Sequence, residues 1–153
     1  MPFKAQTFTS ENELFELQYP RTWEQETYEG IPAFFDPFYG TGALQFFSLR
    51  IDEISEEELC EAPFLRGKTL QEKMALFLEE NEVPYHWEEL TAEYRNGQHF
   101  IAKEYYKEGR FYMVAMFEKE DVFVLSLFNS KGLPDPEEAQ IVAEILQSVR
   151  LFS

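Results

Sequence analysis

The chain is poor in the residues that most chemistry needs. Among 153 residues it holds one cysteine, Cys60, and two histidines, His86 and His99. A single thiol excludes an internal disulfide. Its acidic neighbours Glu57, Glu58 and Glu61 offer no positive charge to hold a thiolate. Cys60 therefore reads as an inert, partly buried thiol and not as a nucleophile. Cations are scarce as well: thirteen Lys and Arg stand against twenty-nine Asp and Glu, a formal charge of −16. Nucleic-acid binding needs cations that displace counterions from phosphate. With no basic cluster to supply them, neither nucleic acid nor an anionic membrane is expected as a partner. No apolar run approaches the length of a membrane span. The opening MPFKAQTFTSENEL lacks the apolar stretch of a leader peptide, so a cytoplasmic location is expected. No G-x-S-x-G elbow, G-x-G-x-x-G loop or Walker-type loop is present. Gly40-Thr41-Gly42 is too short for a phosphate cradle and falls between strands, not before a helix. No cofactor is expected.

What the chain does have is apolar and aromatic: 44% hydrophobic residues and 17% aromatic, with sixteen Phe. That excludes a disordered chain despite the charge. The length suits one domain, 1–153, able to bury a core without staples. The organising stretch runs from Gln98 to Asn129 and reads as three antiparallel strands. A two-residue turn at Glu108-Gly109 pairs Lys107 with Arg110, Tyr105 with Tyr112 and Phe100 with Phe117. Alternation then sends Phe100, Ala102, Tyr106, Phe111, Met113, Ala115 and Phe117 to one face. Ile101, Tyr105, Tyr112, Val114 and Met116 go to the other. Both faces are apolar, so both require cover.

Around this ribbon the spacing predicts strands at Phe3–Thr9, Leu14–Tyr19, Trp23–Tyr28 and Ala43–Ile51, with a short apolar run at Pro32–Phe35. Ser55 with Glu58, and Thr69 with Glu72, have capping-box spacing. The first opens a short acidic turn. The second opens an amphipathic helix carrying Leu70, Met74, Phe77 and Leu78, which ends before Pro84. The acidic stretch lacks the spaced ligands and bend glycine of a calcium loop. A last helix has Asp135 as N-cap, Pro136 at N1 and Glu138 at N3, and buries Val142, Ile145, Leu146 and Val149. Asn96-Gly97 predicts a hairpin that pairs Tyr85–Arg95 with Gln98–Lys107. In that hairpin His86 and His99 stand roughly 26 Å apart at ~3.3 Å per residue, too far to share a metal.

Two features draw attention as candidate sites. Glu104 falls on an otherwise apolar sheet face, opposite Met113, and a carboxyl buried there is a candidate base. Its alternative is a strand-end residue that reaches water or pairs with a cation. Phe34, Phe35, Phe38 and Tyr39 crowd a segment punctuated by Pro37 and Gly40, the composition of a recognition loop. The alternative is that they plug the end of the core. Phe35, Phe38, Tyr39, Trp87 and Glu104 are the candidate partner-binding residues.

Phe15-Glu16-Leu17-Gln18-Tyr19-Pro20-Arg21-Thr22-Trp23, an alternating strand followed by Tyr-Pro and a Trp, resembles the N-terminal signature of the Mog/PsbP-like superfamily. Ile145-Leu146-Gln147-Ser148-Val149-Arg150-Leu151 is similar to that superfamily's closing helix-to-strand passage. The resemblance spans nearly the whole chain and is strongest to small bacterial cytoplasmic members of unknown function. It implies an α+β fold in which an antiparallel sheet is flanked by helices on both faces, an α/β/α sandwich. Members are mostly non-catalytic and include a Ran-binding nuclear protein, an extrinsic photosystem II subunit and bacterial effector chaperones. No motif carries Ran binding to particular residues here, and with no transit segment in the sequence the photosynthetic role is not expected to carry over.

The expected function is a non-enzymatic protein-binding domain, a chaperone or adaptor; its acidity either keeps an aromatic-rich domain soluble or steers in a basic protein partner. One alternative is a hydrolase with Glu104 as base in a sheet-lined cleft. Another is a structural subunit of a larger assembly.

Overall fold

A computed structural model describes residues 3–152. Strands β1 (Ala5–Thr9), β2 (Phe15–Pro20), β3 (Glu24–Tyr28), β4 (Ile31–Phe35) and β5 (Gly42–Arg50) come first. Helices α1 (Glu56–Glu61) and α2 (Leu70–Glu80) follow, then β6 (Glu93–Arg95), β7 (Gln98–Lys107), β8 (Arg110–Lys119) and β9 (Val122–Lys131). Helix α3 (Pro136–Ser148) and β10 (Arg150–Leu151) close the described chain. The larger sheet has seven strands in the order β3-β4-β5-β9-β8-β7-β6, and a smaller one has three, β1-β2-β10. Every pairing within these two sheets is antiparallel.

The central register is the one the turn predicts: Lys107 faces Arg110, Tyr105 faces Tyr112 and Phe100 faces Phe117. Glu108 and Gly109 take φ of 52° and 78°, the left-handed pair of a type I′ turn, whose twist matches that of the strands. Across β9, Met113 faces Phe128 and Phe117 faces Val124.

Two cores result, one on each side of the larger sheet. On one side Ile101, Val114, Met116 and Phe123 are buried with Leu70, Met74, Phe77 and Leu78 of α2. Each such side chain contributes about 1.5–3 kcal/mol when taken from water. On the other side Phe111, Ala115, Phe117, Val124 and Phe128 meet Phe15, Leu17, Tyr19 and Trp23 together with Val142, Ile145 and Leu146 of α3. Each apolar face thus has cover over β8 and β9, but the second cover is a mixed layer and leaves Ala102 and Tyr106 of β7 exposed. The alternation of Phe15, Leu17 and Tyr19 that defines β2 builds a small sheet there, and α3 lies beside it. The fold is α+β, dominated by antiparallel sheet.

The caps follow local chemistry. Ser55 and Glu58 form a reciprocal capping box at α1. At α2, Thr69 accepts the N–H of Glu72, but the Glu72 carboxylate turns to the N–H of Lys68 at 2.8 Å, so this box is half formed. Cys60 is exposed and not partly buried, because α1 buries none of its residues.

The segment before β6 departs from expectation most. Only Glu93–Arg95 is strand, and Trp87–Glu89 is a 3-10 turn. Leu90 is drawn beneath the sheet into the core that contains Ile101 and Val114, which takes the chain off the β7 edge. His86 therefore does not lie along a neighbouring strand, and the strand-length separation from His99 lapses. Tyr94 does face His99, their rings 4.8 Å apart. Among the described residues no three His, Cys, Asp or Glu are grouped to hold a metal ion. No described helix is long and apolar enough to cross a membrane.

Candidate partner-binding surface

The aromatic segment divides at the end of β4. Phe34 is wholly buried, in edge-on contact with Phe8 at 5.2 Å and Tyr19 at 4.9 Å. Phe35 is half-buried. Phe38 and Tyr39 are 82% and 83% exposed, their ring centroids 6.5 Å apart. One half of the segment plugs the core and the other stands in water.

The loop that holds these two rings out is tightly bonded. Asp36 Oδ1 accepts the N–H groups of Phe38 and Tyr39 at 3.0 and 3.1 Å, and its carbonyl accepts that of Gly40 at 3.1 Å. Such Asx bonding replaces the solvent bonds a mobile loop would keep. Beyond Gly40 the anchor comes from α3. Glu138, 5% exposed, accepts the Thr41 N–H at 2.9 Å, the Gly42 N–H at 3.3 Å and the Thr41 hydroxyl at 2.6 Å. Gly40-Thr41-Gly42 is therefore an anion cradle after all, and the anion is the protein's own carboxylate. Position N3 of a helix also sets that charge against the positive end of the α3 dipole. Glycine is required at 42 because a Cβ there would lie 2.3 Å from the Asn129 carbonyl oxygen across the β5–β9 pairing.

Beside the loop is a recess of about 240 Å³ lined by Asp36, Tyr39, Asp135, Glu137, Glu138 and Ile141. Four of these six are acids. Its chemistry suits a cation with an aliphatic stem, with the Tyr39 ring at its edge.

The other candidates lie elsewhere. Trp87 is half exposed on the α2 side, where its carbonyl accepts Gln71 Nε2 at 3.3 Å. The structure does not bring it to the loop. Glu104 is on β7 beyond the reach of the short β6, and it is exposed, not buried. The layer that covers Phe117 does not extend to this part of the sheet, and Ala102 and Tyr106 beside it are exposed too. A base in a desolvated cleft is not what this position offers. Glu138 is the residue that sequence reasoning placed as a helix N3 position and nothing more. Its partners lie 97 residues away, and the one local sign was the Gly-Thr-Gly triplet itself.

Two ionisable groups near β7 are displaced from their ordinary values. Lys103 donates to Glu89 at 2.8 Å, and this hydrogen bond, then its charge, holds the Glu89 carboxyl below the usual range. Burial, then the neighbouring Tyr112, pushes the Tyr105 phenol up.

No family model matches the chain, and neither does any curated protein. Solved structures do. Cyanobacterial PsbP (CyanoP) from Synechocystis sp. PCC 6803 superposes with a TM-score of 0.57 at 12% identity, over 97% of this chain and 92% of that one. A protein from Bacteroides thetaiotaomicron VPI-5482 gives a TM-score of 0.56 at 16% identity, over 100% of this chain, which spans 50% of that one. At such identities the likeness concerns fold alone. The chain has a PsbP-like α+β fold.

Proposed function

We propose that this chain is a non-catalytic protein-binding domain that engages a basic segment of its partner through the loop bearing Phe38 and Tyr39. The observation that carries the reading is the combination at this loop: a backbone held by Asp36 and Glu138, and two large rings that touch almost nothing. A fixed loop that displays aromatic rings has already lost the entropy that binding would otherwise remove. The acidic recess beside Tyr39 and the charge of −16 favour a partner rich in Lys or Arg. An adaptor or chaperone role in the cytoplasm, within an α/β/α sandwich of the Mog/PsbP-like kind, is the finer form of the same proposal.

The test compares the wild-type chain with a Phe38→Ser/Tyr39→Ser variant as bait in lysate of the native host. The expected result is a protein retained by the first and lost by the second, whose binding to the purified chain weakens as salt rises. Equal recovery by both baits, or binding indifferent to ionic strength, overturns the reading.

A further inference from the structure

The outer edge of β7 is open over most of its length. β7 runs from Gln98 to Lys107, yet β6 pairs only with Gln98, His99 and Phe100. Lys107 and Arg110 flank a two-residue turn, so they form a hydrogen-bonded pair, and the odd-numbered residues of β7 direct their backbone groups at β8. The even-numbered ones point away. Gln98 and Phe100 use theirs on β6; among the described residues no strand lies beside Ala102, Glu104 and Tyr106. All three are exposed, so this edge is open both sideways and from the face that bears their side chains. Open edges are templates for another strand.

Charge selects the occupant. Self-pairing of two copies about a two-fold axis must centre on one residue, and each centre is unfavourable. Centres at Lys103 or Glu104 place that residue against itself. A centre at Tyr105 sets Lys103 against Lys107, and one at Tyr106 sets Glu104 against Glu108. A centre at Ala102 needs Phe100, which β6 occupies. The like-charge contacts come on top of −16 per copy. A strand from another protein meets a different surface. Lys103 is already engaged by Glu89 and Lys107 by the Asn81 carbonyl, both on the α2 side. Glu104 makes no hydrogen bond or ion pair within the chain among the described residues, and Ala102 and Tyr106 stand on either side of it.

We infer that residues 102–106 of β7 receive an extended segment of a partner protein as an added strand, with a Lys or Arg opposite Glu104 and apolar β-branched residues flanking it. Backbone bonds to Ala102, Glu104 and Tyr106 supply affinity, and the pair at Glu104 supplies selectivity. This site is separate from the aromatic loop and does not depend on it.

The test uses capped synthetic peptides of alternating valine and threonine with a central lysine, and a control with glutamate in its place. Amide hydrogen exchange of the intact chain is followed by NMR. The lysine peptide should slow exchange at Ala102, Glu104 and Tyr106 by roughly tenfold near saturation, leaving Lys103 and Tyr105 unchanged. Glu104→Lys should weaken the lysine peptide on the order of tenfold and reverse the preference between the two peptides. Ala102→Pro removes an outward N–H that β8 does not use, so it should abolish binding without loss of fold. If that variant fails to fold, the Glu104→Lys reversal decides. No binding at roughly millimolar peptide, protection at Gln25 and Thr27 of the β3 edge instead, or loss of binding in Phe38→Ala/Tyr39→Ala overturns the proposal. A dimer in sedimentation that protects residues 102–106 without peptide overturns it too.

Discussion

The carboxylate of Glu138 and the backbone N–H of Thr41 meet at 2.9 Å, which ties the first turn of α3 to the loop between β4 and β5. A buried carboxylate with several donors contributes through each charged hydrogen bond, about 1.5–3 kcal/mol apiece before non-additivity. Glu138→Ala should lower the unfolding free energy by about 2–4 kcal/mol in urea titration. It should also raise amide exchange at Thr41 and Gly42. Glu138→Gln keeps part of the acceptor geometry and should cost less.

Phe38 and Tyr39 bury almost nothing, so their removal should leave the fold alone. Phe38→Ala/Tyr39→Ala is expected to change stability by no more than about 0.5 kcal/mol in thermal or urea unfolding. By contrast Phe34→Ala, in the same segment, should cost about 3–5 kcal/mol, because it empties a fully buried site.

Glu108 sits at φ 52°, a region that glutamate rarely adopts and asparagine tolerates. Glu108→Asn should raise stability by about 0.5–1 kcal/mol. The measurement is the shift in denaturation midpoint at constant slope.

Gly42→Ala should have the opposite effect. Its Cβ would press on the Asn129 carbonyl and the Ser130 side chain. A loss of about 1–3 kcal/mol is expected, with β5 and β9 forced apart. Faster exchange along the β5–β9 ladder would report it.

Tyr105 has its phenol pushed above 10.0 by burial and by Tyr112, whose ring stacks on it at 4.9 Å. The folded state therefore holds that proton more tightly than the unfolded chain does. This favours the fold at pH values below 10.0, and the advantage is lost as pH rises through the folded value. Tyr105→Phe should flatten the alkaline fall in stability, read from urea midpoints across that window.

Elements fixed by local chemistry are legible in the sequence. The Glu108-Gly109 turn carries the register of β7 and β8, and the period of Phe15, Leu17 and Tyr19 marks β2. Ser55 with Glu58 marks α1, and Asp135-Pro136 marks the start of α3. What depended on distant partners was not legible. β6 is short because Leu90 prefers the core to the edge, and no periodicity within 85–95 reports that preference. The apolar alternation of β7 suggested cover for Glu104, but cover is decided by how far the small sheet and α3 reach. For the loop, composition pointed to Phe38 and Tyr39. It was silent on Glu138, since a carboxylate at a helix start has the same local pattern whether it faces water or a loop 97 residues upstream.

The carboxylate lodged in the Gly-Thr-Gly bend makes the C-terminal helix and the aromatic tip thermodynamic neighbours. By reciprocity, whatever grips the two rings also firms the opening turn of that helix, and whatever loosens that turn relaxes the grip. If the loop binds a partner as proposed, a distant substitution at the helix start would register as a change in affinity, with no ring disturbed.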